Sequence, residues 1–192
     1  MNIYSLLKNI IKRATPPVGA VVCMNTNTNP STIYGGTWTL IDKEFSSQMD
    51  YVAENFTKAA NITSVTNPVI SRDGHSLTLK LTFVNTNALT GSNVDVGTWN
   101  MTKCGVSGLG GITHEFMGFA EGYGVIMMDL ASSTAKLRSI DTISRTGTVS
   151  GSTSTNNSVA AGSSCYAEIT MTIPYTYMLD AACDKFYFKR TA

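Results

Sequence analysis

Apolar residues recur along the chain with two different periods. Near the start, Ile3, Leu6, Leu7, Ile10 and Ile11 fall at i, i+3, i+4, i+7 and i+8. They line one face of a 3.6-residue repeat and predict an amphipathic helix over residues 1–15. Lys8, Asn9, Lys12 and Arg13 fall mainly on the other face, cations near the C-terminal end suit the helix dipole, and Pro16-Pro17 stops the helix. A helix of about 12 residues is marginal alone in water, so its apolar face needs cover. Three covers are open: its own domain, the same helix from symmetry-related copies, or a membrane surface in which it lies flat. Ile3, Leu7 and Ile10 read as alternating d and a positions, which suits the second.

Further on the period drops to two. In Ser76-Leu-Thr-Leu-Lys-Leu-Thr-Phe83, Leu77, Leu79, Leu81 and Phe83 face one way and Ser76, Thr78, Lys80 and Thr82 the other. Cys165-Tyr-Ala-Glu-Ile-Thr-Met-Thr-Ile173 repeats the pattern with Ile169, Met171 and Ile173 inward. Shorter strands are expected near residues 18–24, 37–41, 97–106, 122–130, 135–143 and 185–190, with Gly-, Asn- and Ser-rich turns between them. Residues 147–162, around the turn at 151–158, are expected to form a mobile loop. Residues 46–58 are more polar, and Met49, Val52, Ala53 and Phe56 sit at helix-like spacing, which predicts a short helix or loop.

Many short strands without alternating helices predict a mostly β chain built as an antiparallel sandwich or barrel. Three segments are expected. Residues 1–15 form the helix. Residues 16–44 form a small β unit with a tight turn at Gly35-Gly36 and a buried anchor at Trp38. Residues 45–192 form a β-sandwich head, whose last strand, 185–190, can return to the 16–44 unit.

Composition narrows the function. Charged residues make up 14% of the 192, and net charge is +1. A nucleic-acid binder needs a basic stripe, and none is present. Thr, Ser and Asn number 26, 19 and 14 and take the place of the missing charges. No apolar run reaches the roughly 18 residues of a membrane span. Cys23, Cys104, Cys165 and Cys183 are widely spaced and His75 and His114 are isolated, so no metal site is expected. Ser-x-x-Lys occurs at Ser5 and Ser133 but lacks its companion motifs. His114-Glu115 has no second His one turn away. The chain is expected to be no enzyme and to carry no cofactor.

Aromatic side chains remain as candidates. A sugar ring has an apolar face and a hydroxyl rim, so its binding sites pair an exposed aromatic with neutral hydrogen-bonding groups. Trp99, Tyr123, Tyr166, Tyr175 and Tyr177 are available for that role.

The segment Pro17-Val-Gly-Ala-Val, continuing through Asn29-Pro-Ser-Thr-Ile-Tyr-Gly-Gly-Thr-Trp-Thr-Leu-Ile41, resembles a module of bacteriophage tail-fibre, baseplate and other virion appendage proteins. There a Pro-Val-Gly strand leads to an Asn-Pro turn and an aromatic-Gly-Gly-Thr-Trp motif. The terminal Phe186-Tyr-Phe-Lys-Arg-Thr-Ala192 is similar to the way such chains end. The Gly-Arg-Phe-like stretch and the histidine-rich metal-binding tips of some tail fibres are absent, so metal-threaded fibre architecture is not implied. Residues 45–174 look instead like a jelly-roll-type head, on strand pattern more than motif.

The resemblance implies a homotrimer in the virion, made in the host bacterial cytoplasm. Its partners would be other virion proteins, met through the N-terminal helix, and a host-surface glycan or protein. A structural capsid head fibre, decoration or adaptor protein is the alternative, and a glycan-cleaving appendage the third.

Overall fold

The computed structural model describes residues 15–86, 94–107, 116–120, 124–130, 134–140, 162 and 164–192. The helix expected over residues 1–15, save its last residue Thr15, lies outside them, as do Tyr123 and residues 147–161. Among the described residues eleven strands follow one another: β1 (Val21–Met24), β2 (Trp38–Tyr51), β3 (Phe56–Lys58), β4 (Ile62–Gly74), β5 (Ser76–Asn85), β6 (Val94–Asn100), β7 (Phe116–Ala120), β8 (Gly124–Leu130), β9 (Thr134–Ile140), β10 (Ser164–Thr172) and β11 (Cys183–Arg190). They form one sheet in the order β1-β11-β2-β4-β5-β10-β7-β8-β9-β6-β3, with every pairing antiparallel. The chain is therefore mostly β. β7, β8 and β9 are successive neighbours and β10 returns beside β7, which is Greek-key connectivity.

The two strands with unbroken alternation form the centre. Leu77, Leu79, Leu81 and Phe83 of β5 are buried, and Ala167, Ile169 and Met171 of β10 lie beside them. Each fully buried side chain of this size contributes about 1.5–3 kcal/mol. The sheet curls so that its β6–β3 end returns to this core. Phe56 of β3 and Val96 and Trp99 of β6 belong to the same cluster as β5, though many strands separate them along the sheet. Phe56 and Trp99 meet edge to face at 5.1 Å, and a Cβ on Gly97 would strike the Phe56 ring. Met101, Cys104 and Val106 close the core from a turn that follows β6. That turn begins where the sequence pattern predicts a strand running on to residue 106. Asn100 Oδ1 accepts the Lys103 N–H at 3.1 Å, and Gly105 supplies a left-handed residue at φ 87°.

Residues 46–58 depart from the expected helix or loop. β2 continues through them to Tyr51, a 3₁₀ turn covers Ala53–Asn55, and β3 follows. The helix-like spacing fails because its members share no buried face: Met49 is 67% exposed and Phe56 is buried. Pairing with β4 satisfies the backbone instead, with Gln48 opposite Arg72 and Tyr51 opposite Val69.

Candidate functional site

The sequence motif around Trp38 forms a second, small core. Trp38 packs with Phe186 and Phe188 of β11, and its Nε1–H donates to the Gly35 carbonyl at 2.8 Å. Gly36 has φ 76°, and a Cβ there would lie 2.6 Å from the Ala192 carbonyl oxygen. A glycine is required by both conformation and space. Thr37 N–H donates to Ala192 O, and Thr191 N–H donates to Thr37 O, each at 2.8 Å. Gly19 N–H donates to the Arg190 carbonyl, Arg190 N–H donates to the Ala20 carbonyl, and the Arg190 guanidinium donates to Pro16 O. The Pro-Val-Gly segment, the Gly-Gly-Thr-Trp turn and the Phe-Tyr-Phe-Lys-Arg strand are thus one clasped unit, with β11 between β1 and β2.

The aromatic candidates sort differently from the expectation. Trp99 is 1% exposed and packed on Phe56, so its indole is core and cannot stack on an external sugar. Tyr175 and Tyr177 are half-buried against the main core from a 3₁₀ turn, Tyr175–Tyr177. Tyr123 lies outside the described residues. Tyr166, 38% exposed on β10, does face solvent.

Tyr166 belongs to an outer face shared by four strands. Register places Tyr51, Val69, Lys80 and Glu168 on one rung across β2, β4, β5 and β10. Met49, Ser71, Thr78 and Thr170 form the next, and Thr66, Thr82 and Tyr166 lie on the other side of the first. Four strands make this face roughly 14 Å wide. Tyr51 is 74% exposed and stands at one border; Tyr166 stands near the other.

Between the two tyrosines the polar groups are held in place. Tyr166 Oη–H donates to Glu168 Oε2 at 2.6 Å, Lys80 Nζ lies 3.3 Å from Glu168 Oε1, and the Thr78 and Thr170 hydroxyls bond at 2.9 Å. The Tyr166 hydrogen bond, then Lys80, holds the Glu168 carboxyl below its ordinary value. The same bond pushes the Tyr166 phenol up to about 12. The face therefore keeps an ionised carboxylate and a neutral phenol around neutral pH. It can stack a sugar ring and hydrogen-bond its hydroxyls with little net charge.

Tyr51 is the residue that the pattern of the sequence hides. Phe45 points into the core, but a register shift between Phe45 and Gln48 reverses the alternation, so Met49 and Tyr51 point outward. A bulge leaves no mark in the order of apolar and polar residues.

Comparison with protein-family models, curated proteins and solved structures gives no match. Among the described residues, no group of three or more His, Cys, Asp or Glu could hold a metal ion, and no helix is long and apolar enough to cross a membrane.

Proposed function

We propose that this chain is a bacteriophage virion appendage protein that binds a host-surface glycan as a homotrimer. It acts by the surface that it presents and not by turnover. The resemblance of residues 17–41 and 186–192 supports the virion placement. The Greek-key passage through β7–β10 supports a jelly-roll-like head. The observation that carries the binding role is the outer face of β2, β4, β5 and β10, where two exposed tyrosines flank hydroxyls and a fixed Lys80–Glu168 pair. Three such faces on one particle component turn weak single contacts into firm attachment.

The test is retention of the purified protein on host cells and on a glycan array. Tyr51→Ala, at a side chain 74% exposed, is expected to weaken binding about tenfold. Its thermal midpoint should stay nearly unchanged. Absence of binding by the unmutated protein overturns the reading. It would favour a structural head fibre, decoration or adaptor role, for which the exposed Val18 and the edge strand β1, with Val21 exposed, are the supporting observations.

A further inference from the structure

A separate site lies on the opposite side of β4. Alternation turns Arg72 inward with Ile70, opposite Leu77 of β5 and Gln48 of β2. Its side chain is only 11% exposed. Nη2–H donates to Gln48 Oε1 at 2.7 Å, Nη1–H reaches Cys104 O at 3.4 Å, and Asp50 Oδ2 lies 3.7 Å away. Nε is buried without a hydrogen-bond partner. A guanidinium has five N–H donors, and a buried cation with so few acceptors is under-satisfied.

This cation borders a cavity of about 180 Å³, together with Thr102, Lys103, Gly105, Leu179 and Ala182. That is room for about six waters at roughly 30 Å³ each. The Lys103 ammonium and the Thr102 hydroxyl, both on exposed residues, have no side-chain partner among the described residues. Gly105 keeps the space open: a Cβ there would sit 2.6 Å from the Ala182 Cβ and 2.9 Å from Arg72 Nη1. Backbone bonds fix the walls, with Leu179 N–H donating to Gly105 O at 2.8 Å and Gly105 N–H to Thr102 O at 3.1 Å. Asp180, beside this wall, is taken up by Lys43 and Asn27. Among the described residues that line the cavity, Arg72 and Lys103 are cations and none is a carboxylate; the Asp50 carboxylate stands 3.7 Å from Arg72 Nη2.

We propose that this cavity binds an oxyanion, a carboxylate or phosphate group carried by a small ligand, between Arg72 and Lys103 with Thr102 as a third donor. A planar guanidinium fork matches both groups, and the arriving negative charge supplies acceptors that Arg72 lacks.

Titration with inorganic phosphate and, separately, sodium glucuronate at constant ionic strength tests it, read by backbone amide shifts of residues 102–105. Saturable binding of at least one probe is expected, and the tighter probe names phosphate or sugar acid as the source. Lys103→Gln should weaken it about tenfold and Thr102→Val by a smaller factor. Both positions are exposed, so their thermal midpoints report an intact fold, and the test does not depend on Arg72→Gln folding. Linear, unsaturable shifts with both probes, or an affinity unchanged in Lys103→Gln, would overturn the proposal. Neither result depends on the outer face of β2, β4, β5 and β10.

Discussion

Replacing Trp38 by Ala tests the clasped unit most directly. The indole is 5% exposed, packed on Phe186 and Phe188 at 2% and 3%, with the Tyr34 ring 6.0 Å away. Removing a buried Trp side chain costs about 3–5 kcal/mol. About 1 kcal/mol of that belongs to the Nε1–H bond to Gly35 O. Trp38→Phe, which keeps a ring but loses the donor, should cost less. The loss should be local, because Trp38 belongs to a cluster distinct from the main core. The chain has two Trp residues, so the variant leaves Trp99, inside the main core, as the only indole. Urea unfolding followed by Trp99 fluorescence then reports the main core. Amide exchange at Gly19, Arg190 and Thr191 reports the clasp. A local loss of that size should speed those amides by about two to four orders of magnitude. A change below about 1 kcal/mol at these amides would mean that the indole is not a buried anchor.

Three further outcomes are expected. Gly36→Ala must adopt φ near 76° and place a Cβ 2.6 Å from Ala192 O; it should destabilise the protein by about 1–3 kcal/mol in chemical denaturation. Acid should weaken the fold through Asp180, whose carboxyl is held below its ordinary value first by Lys43 and also by Asn27. A lowered folded value gives stability that is complete above the unfolded value of about 4 and lost as pH falls through the folded one. Asp180→Asn should therefore flatten the decline in unfolding midpoint between about pH 5 and pH 2, and parallel curves would refute the role of the pair. If the proposed homotrimer forms through residues 1–15, deleting them should leave a monomer with a folded head, read by light scattering; an unchanged mass would refute helix-driven assembly.

The centre of the fold was legible because β5 and β10 pair without a bulge, so every second residue keeps to one face. β2 was legible only as far as Ile41, and a register shift follows between Phe45 and Gln48. Beyond it the same residue types point the other way, and Tyr51 could not be told from a helix residue. Trp99 shows the opposite difficulty: aromatic character marks both a sugar platform and a core, and only the packing of Phe56 decides. Arg72 was silent because a charged residue at the end of an alternating strand reads as surface. Its burial comes from the turn after β6, which is distant in sequence. The helix over residues 1–15 rests on its 3.6-residue period alone.

The placement of β11 between β1 and β2 has a consequence for synthesis. The first half of β2 gains its neighbour only when Cys183–Arg190 emerges, and the Thr191 hydroxyl reaches a carbonyl 154 residues earlier in the chain. At ordinary translation rates that is a wait of roughly 8–30 s with the Trp38 indole uncovered. A ribosome that stalls before Cys183 releases a product in which β4 and β5 can pair but the clasp can never close. Closure of the clasp therefore waits on translation of Cys183–Arg190, and strand order alone sets that dependence.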